Sequence, residues 1–279
     1  MQESVEQLDP TEELTAEEVK SRTKKGIVIL TLRTFINQTI SFLANVIFLP
    51  LFLLPSEYGV FFLVSAVVNL LAYFSYIGFA ASLIQKKEQL TGQDLKTIFT
   101  AQQVLVLGLI FLAILSTPVI TNFYKFDQPA LYLFWALAFC LFLSSLKTIP
   151  SVLMERKLEF NKLVIPQIFE AMVFSISSIY FAWQGFGVTT FTISVLLRGL
   201  TGLVVTYYVQ PWMPGISFSF QSFKSSLKFG VPYQANSFLA MLKDDGMTIF
   251  LGTVLGSHGV GLLGWAQKWA YAPLRFFMD

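Results

Sequence analysis

Long apolar runs constrain this chain more than any other feature of its sequence. A helix of about 20 residues, rising about 1.5 Å each, crosses the roughly 30 Å hydrocarbon layer of a bilayer. Because backbone groups find no water there, each such run is predicted to be a helix. Eight runs qualify: Ile27–Leu54, Val60–Ile84, Ile98–Ile120, Ala130–Met154, Leu163–Gly185, Val188–Val209, Phe229–Leu255 and Val260–Phe277. The predicted fold class is therefore an all-α polytopic membrane protein with about eight transmembrane helices.

Composition agrees with this fold class and excludes several others. Hydrophobic residues make up 54% of the chain and charged residues 13%, against about 25% charged in a typical soluble domain. These values exclude a soluble enzyme, a disordered chain and a nucleic-acid binder. With one Cys and one His, a Cys/His metal site and a His-based catalytic triad are also excluded. We expect no metal, no cofactor and no catalytic residue.

Basic residues are concentrated in alternate connections between the predicted helices. The connections 85–97, 155–162 and 210–228 carry eight Lys or Arg residues, whereas the intervening ones carry only Lys125. The positive-inside rule then places the basic connections and the N-terminus in the cytoplasm.

The predicted domain organisation follows the order of these helices. Residues 1–25 form a cytoplasmic tail that is first acidic and then basic, and residues 26–209 form a first lobe of six helices. Residues 210–228, which contain Trp212 and three Phe residues, are predicted to be a cytoplasmic interfacial connector. Residues 229–279 then give the first two helices of a second lobe, because a weak repeat relates the first and the seventh helices.

Charged residues within the predicted helices indicate an internal polar site. Each would cost roughly 2.5–3.5 kcal/mol at the centre of a helix, so most must face a partner or a water-filled cavity. The cations outnumber the anions, which favours an anionic guest. The cations are Arg33, Lys147, Arg198, Lys243, Lys268 and Arg275, and the anions are Glu170, Asp244 and Asp245.

Alternatives stay open for several of these charges. Lys147 is close enough to the interface to extend its amine out of the membrane. Lys243 can pair locally with Asp244 or Asp245, an arrangement that also fits a proton or Na⁺ relay. Glu170 can pair with Arg33 or Lys147, or it can titrate.

Polar side chains recur at helical spacing and mark particular helix faces. Such side chains either line a cavity or form hydrogen bonds between helices. The three stripes are Arg33, Asn37, Ser41 and Asn45 in the first helix, Ser65, Asn69, Tyr73 and Tyr76 in the second, and Gln167, Glu170 and Ser177 in the fifth.

Short motifs occur along most of the chain in a definite order. They are Pro55–Gly59, Gly78-Phe79, Ser82–Lys87, Leu90–Leu95, Pro150-Ser151, Arg156–Phe160, Gly185–Val188, Phe229–Pro232 and Gly259–Gly261. In this order they resemble the polysaccharide (O-antigen type) flippases of the multidrug/oligosaccharidyl-lipid/polysaccharide exporter superfamily.

The resemblance implies two six-helix lobes around a central cavity in the bacterial cytoplasmic membrane. It implies transfer of a polyprenyl-pyrophosphate-linked oligosaccharide by alternating access, for export of a cell-surface polysaccharide such as the O-antigen of lipopolysaccharide. The implied partners are this lipid-linked oligosaccharide, membrane lipid and the polysaccharide assembly machinery. The expected substrate-binding residues are Arg33, Asn37, Arg198 and Lys243, and the expected ion-coupling residues are Glu170, Asp244 and Asp245.

Other functions remain as alternatives at this stage. A multidrug/cation antiporter of the same superfamily would have an anionic cavity, and a membrane-bound transferase would need catalytic residues clustered at one membrane face. Family members are longer than this chain, so the sequence reads as truncated after the start of the second lobe. A fragment that does not transport is therefore a further alternative.

Overall fold

The computed structural model describes residues 16–76, 78–86 and 90–278, and the regular elements within these ranges are helices. Seven helical stretches in the described residues are long and apolar enough to cross a membrane, which confirms the predicted fold class. Most of the N-terminal tail lies outside the described residues. The elements are α1 (Ala16–Phe42), a π-helical turn (Leu43–Phe48), a 3₁₀ turn (Leu49–Leu51), α2 (Pro55–Tyr76), α3 (Phe79–Gln85), α4 (Gly92–Tyr124), α5 (Gln128–Leu146), α6 (Thr148–Arg156), α7 (Phe160–Trp183), α8 (Thr189–Val209) and α9 (Phe220–Met278).

Several helix boundaries differ from the predicted ones because apolar residues continue across breaks in the backbone. The second predicted helix divides into α2 and α3 before Gly78, and the fourth divides into α5 and α6 at Lys147. The predicted connection 55–59 instead forms the first turn of α2. Pro55 suits a first helical position, and the Glu57 carboxylate caps this turn by accepting from the Leu54 N–H at 2.7 Å.

The seventh and eighth predicted helices are the two arms of α9, and they fold into a hairpin. The arms, residues 220–255 and 257–278, meet at Gly256, whose φ of 66° is readily adopted only by glycine. Along the first arm, Gln234 contacts Tyr73 and Asp245 contacts Asn69, so this arm runs antiparallel to α2. The second arm runs back in the opposite direction along α2.

The main apolar core lies where α2, α5 and α8 meet. Phe134 and Phe191 are fully buried there. The ring of Phe61 stacks on that of Phe191 with 4.2 Å between centroids. This packing fixes α8, and the adjoining α7, against the body of the molecule.

The basic connections gather at one end of the bundle, which we call the basic end. Arg22 of α1 donates to the Lys157 carbonyl oxygen at 3.0 Å, and Lys86 pairs with Asp94 at 2.9 Å. Arg156 is buried and donates from Nη1 to two carbonyl oxygens at 2.8 Å, those of Leu83 and Lys86. These contacts join α1, α3, α4 and α6 at the same end.

The segment between α8 and α9 packs against this end. Trp212 contacts Phe99 at 5.1 Å between ring centroids, and the Ser219 N–H donates to Thr97 Oγ1 at 3.1 Å. Residues 210–219 are non-helical, and α9 already begins at Phe220. Half of the predicted connector is therefore helical.

Replacing Arg156 is expected to destabilise the basic end. In Arg156→Met the Leu83 and Lys86 carbonyl oxygens lose their charged donor, and hydrogen bonds of this kind contribute about 1.5–3 kcal/mol each. We expect a clear fall in the midpoint of thermal unfolding of the purified protein in detergent. The control is Lys162→Met, because Lys162 pairs with Glu159 at an exposed position where such pairs contribute little. Equal midpoints for the two variants would contradict this account.

Candidate functional site

A polar cavity of about 780 Å³ lies between α1, α7 and α8, and we call it the cationic cavity. Cavities of roughly 300–1,000 Å³ are the usual size for ligand sites. The structure brings Arg33, Asn37, Arg198 and Glu170 together in its lining. Three of the four predicted substrate-binding residues therefore share one site.

The polar stripe of α1 supplies one whole wall of this cavity. Arg33, Asn37, Ser41 and Asn45 all line it, because residues four apart in a helix share a face. Asn45 falls in the π-helical turn that follows α1, and its amide donates to the Ser41 carbonyl oxygen at 3.0 Å. Such single π turns often occur at functional sites.

Arg33 is held in place while part of its guanidinium stays unpaired. Its Nη1 donates to Gln167 Oε1 of α7 at 2.8 Å, and its Nη2 donates to Thr34 Oγ1 at 3.1 Å. Within the described part of the chain, Arg33 Nε and the nearby Asn37 Oδ1 are buried without a hydrogen-bond partner. Buried polar atoms without a partner are uncommon in proteins, so these two mark a part of the cavity wall whose hydrogen bonds are incomplete.

Glu170 lies between two cations at the α7–α8 side of the cavity. Its Oε1 is 2.5 Å from Lys147 Nζ, and its Oε2 is 3.6 Å from Arg198 Nε. Its carboxylate rests against Gly202 of α8, where a Cβ would overlap Oε1. Of the two predicted alternatives for pairing, the structure shows the contact with Lys147.

Arg198 is the most open cation of this group. Its side chain is 54% exposed, and its guanidinium carbon lies 5.9 Å from the centre of the Phe174 ring. Since Lys147 neutralises Glu170, Arg33 and Arg198 leave the cavity with a net positive charge. A guanidinium matches the geometry of phosphate oxygens, so the cavity is chemically suited to a phosphate-bearing anion.

The remaining predicted site residues lie in a second cavity of about 720 Å³ between α2 and the two arms of α9. We call it the α2–α9 cavity. Lys243, Asp244 and Asp245 line it, so the structure separates Lys243 from the other predicted substrate-binding residues. Lys243 pairs with Asp244 at 3.3 Å, but both side chains are more than 70% exposed. Asp245 accepts from Asn69 at 3.3 Å.

A hydrogen bond between Lys268 and Asn45 joins the two cavities. Lys268 of the second arm of α9 donates to Asn45 Oδ1 at 2.9 Å. Lys268 lines the α2–α9 cavity, and Asn45 lines the cationic cavity. The Lys268 amine also lies 4.9 Å from the centre of the Phe62 ring, so its position is fixed from both sides.

Sequence reasoning assigned no site role to three residues that shape these cavities. Gln167, which orients Arg33, was visible only as a member of a polar stripe. Gly202 lies four residues after Arg198, on the same helix face, and this spacing could have indicated that Gly202 is close to the cavity. Lys268 stood out as a charge in an apolar run, but its partner Asn45 is 223 residues away.

Comparison with known proteins shows the family of this chain and a related protein. A sequence model of the family described as "Polysaccharide biosynthesis protein" matches residues 48–279. The teichuronic acid biosynthesis protein TuaB of Bacillus subtilis (strain 168) is 25% identical over 203 residues, which are 71% of this chain and 41% of TuaB. The chain thus spans less than half the length of this curated relative.

A solved structure shows a similar fold. It is the inward-facing conformation of a multidrug resistance MATE family transporter of the MOP superfamily. The match has a TM-score of 0.58 at 17% identity, and it covers 87% of this chain and 60% of the transporter. At this level of identity the similarity concerns the fold, which agrees with the helical membrane architecture described above.

Proposed function

The chain belongs to the polysaccharide biosynthesis protein family, and we propose that it moves a polyprenyl-pyrophosphate-linked oligosaccharide across a bacterial cytoplasmic membrane. In this proposal residues 26–209 form one lobe, residues 210–228 connect it to residues 229–279 of a second lobe, and the basic end faces the cytoplasm. Movement is by alternating access, and the exported sugar serves a cell-surface polysaccharide.

The cationic cavity is the observation that carries this proposal. It has the volume of a ligand site and a net positive charge within a membrane helix bundle. A buried charge is costly in such a setting unless it has a function or a partner. Arg33 and Arg198 both line the cavity and Arg198 is half exposed, so their guanidinium groups can bind a pyrophosphate group.

An antiporter of organic cations fits this cavity less well. Glu170 is the anion in its lining, and Lys147 already neutralises it at 2.5 Å. A cationic substrate would therefore meet Arg33 and Arg198 without a free carboxylate. The acidic residues of the α2–α9 cavity are matched by Lys243 and Lys268 in the same lining.

Deletion and complementation in the native host test the proposed function. Deleting the gene is expected to stop surface polysaccharide export and to leave polyprenyl-pyrophosphate saccharides accumulating on the cytoplasmic side. The measurement is extraction and mass spectrometry of these lipids, together with staining of the surface polymer. Unchanged lipid pools and unchanged surface polymer would contradict transport of this substrate, and ethidium efflux restored by the gene would support the antiporter.

The contacts of Glu170 predict a positioning role for this residue. In Glu170→Gln the amide can still touch Lys147 and Arg198 but no longer neutralises Lys147. We expect export to fall about tenfold, the effect of about 1.4 kcal/mol, with no change in its dependence on external pH. Loss of that pH dependence in Glu170→Gln would instead assign ion coupling to Glu170. The control is Glu155→Gln, a carboxylate of α6 outside the cavity lining.

A further inference from the structure

We propose that the α2–α9 cavity binds the saccharide part of the substrate, while the cationic cavity binds its pyrophosphate. This inference rests on the proposed function, because it divides one lipid-linked molecule between two neighbouring sites. The α2–α9 cavity has a volume of about 720 Å³, which is within the range of ligand sites.

The lining of the α2–α9 cavity has the chemistry of a site for uncharged polar groups. Two lysines face two aspartates, so their formal charges cancel. The remaining polar lining supplies amides and hydroxyls, which both donate and accept hydrogen bonds and so match sugar hydroxyl groups. These residues are Ser65, Asn69, Thr248, Gln267 and Tyr271.

Three of these residues are placed to contact a ligand in this cavity. Within the described residues, Ser65 Oγ is buried and has no hydrogen-bond partner, which indicates a missing donor or acceptor. Gln267 is exposed in the cavity lining, on the second arm of α9. Asn69 donates one hydrogen to Asp245 at 3.3 Å, which leaves its carbonyl oxygen as an acceptor.

The hydrogen bond between the cavities determines which part of the substrate each cavity takes. In a lipid-linked saccharide the first sugar is bonded directly to the pyrophosphate, so the two binding sites must adjoin. The cavities adjoin at the contact between Lys268 and Asn45. The net positive charge lies on the Arg33 side, and the uncharged, hydroxyl-rich lining lies on the Asn69 side. In a ligand that spans both cavities, the bond between sugar and phosphate therefore lies next to Lys268.

A cation site is the competing reading of the same cavity, because Asp244 and Asp245 are adjacent. Asp244, however, has Lys243 at 3.3 Å, and the Asn69 amide donates to Asp245. Within the described part of the chain, no group of three His, Cys, Asp or Glu side chains comes together. The amide and hydroxyl lining is better matched by a saccharide.

Binding to two lipids tests the assignment. The full chain is reconstituted in lipid nanodiscs and titrated with undecaprenyl pyrophosphate, which carries no sugar. It is titrated separately with the polyprenyl-pyrophosphate saccharides extracted from the native host after deletion of the gene. We expect Asn69→Ala and Gln267→Ala to bind the saccharide-bearing lipid about tenfold more weakly and the sugar-free lipid within twofold of the wild type.

Two further variants complete the test. Arg33→Ala is expected to weaken binding of both lipids, and Gln184→Ala, an exposed amide at the end of α7, is expected to weaken neither. The assignment is overturned if the folded Asn69 and Gln267 variants bind the saccharide-bearing lipid as the wild type does, or lose both lipids equally. It is also overturned if these variants change only the dependence on Na⁺. If the wild type binds neither lipid, the proposed function fails, whereas binding of both lipids with unaffected variants refutes the saccharide subsite alone.

Discussion

Arg33→Ala is expected to weaken binding of undecaprenyl pyrophosphate about hundredfold and to abolish export of the surface polymer. Gln167 already orients the Arg33 guanidinium through a hydrogen bond of 2.8 Å. Because the group needs no rearrangement to bind the ligand, its removal is expected to cost the full interaction. Charge-assisted hydrogen bonds contribute about 1.5–3 kcal/mol each, and about 2.8 kcal/mol corresponds to a hundredfold change in affinity. Titration in nanodiscs and complementation of the deletion strain measure the two effects.

Two arginine variants separate this role from a general effect of charge. Arg33→Lys keeps the charge but loses the planar fork that fits phosphate, so we expect an intermediate loss of affinity. Arg22→Ala removes the same residue type from α1 about three turns earlier, outside the lining of the cationic cavity, and should leave affinity unchanged. Wild-type affinity in Arg33→Ala, with intact protein in the membrane, would remove Arg33 from the site.

The cationic cavity could be anticipated in part because one of its walls is a single helix. The spacing from Arg33 to Asn45 is local information, and all four stripe residues line the same cavity. The grouping with Arg198 could not be derived in this way. It depends on how α7 and α8 are rotated about their axes, and on Gly202, which lets the Glu170 carboxylate lie against α8.

The position of Lys243 shows the limit of counting charges. Its depth in an apolar run resembled that of Arg198, yet the two lie in different cavities. The reason is the hairpin at Gly256, which places both arms of α9 along α2. Hydropathy predicts that two helices exist there. The packing partner of each arm, however, is set by the fit of side chains that are far apart in the sequence, as in the contact of Asn69 with Asp245, which are 176 residues apart.

The crossing of α2 with the second arm of α9 explains why this hairpin stays close to α2. A Cβ at Gly59 would overlap the Ser257 carbonyl oxygen, and a Cβ at Gly261 would overlap the Pro55 carbonyl oxygen. The contact is reciprocal, since each glycine meets the residue four positions before the other. Small residues allow such close approach of helices in membranes.

Gly261→Ala is therefore expected to destabilise the fold by about 1–3 kcal/mol, the usual cost of overpacking, because its new methyl group meets backbone that cannot move aside. Gly108→Ala is the matched control, since this glycine of α4 has no atom within 4 Å of an added Cβ. There the change should be neutral or stabilising by up to about 1 kcal/mol through helix propensity. Thermal unfolding of both variants in the same detergent measures the difference. Equal unfolding midpoints would mean that α2 and α9 can separate at this crossing without loss of stability, and the reciprocal contact would then not hold the hairpin in place.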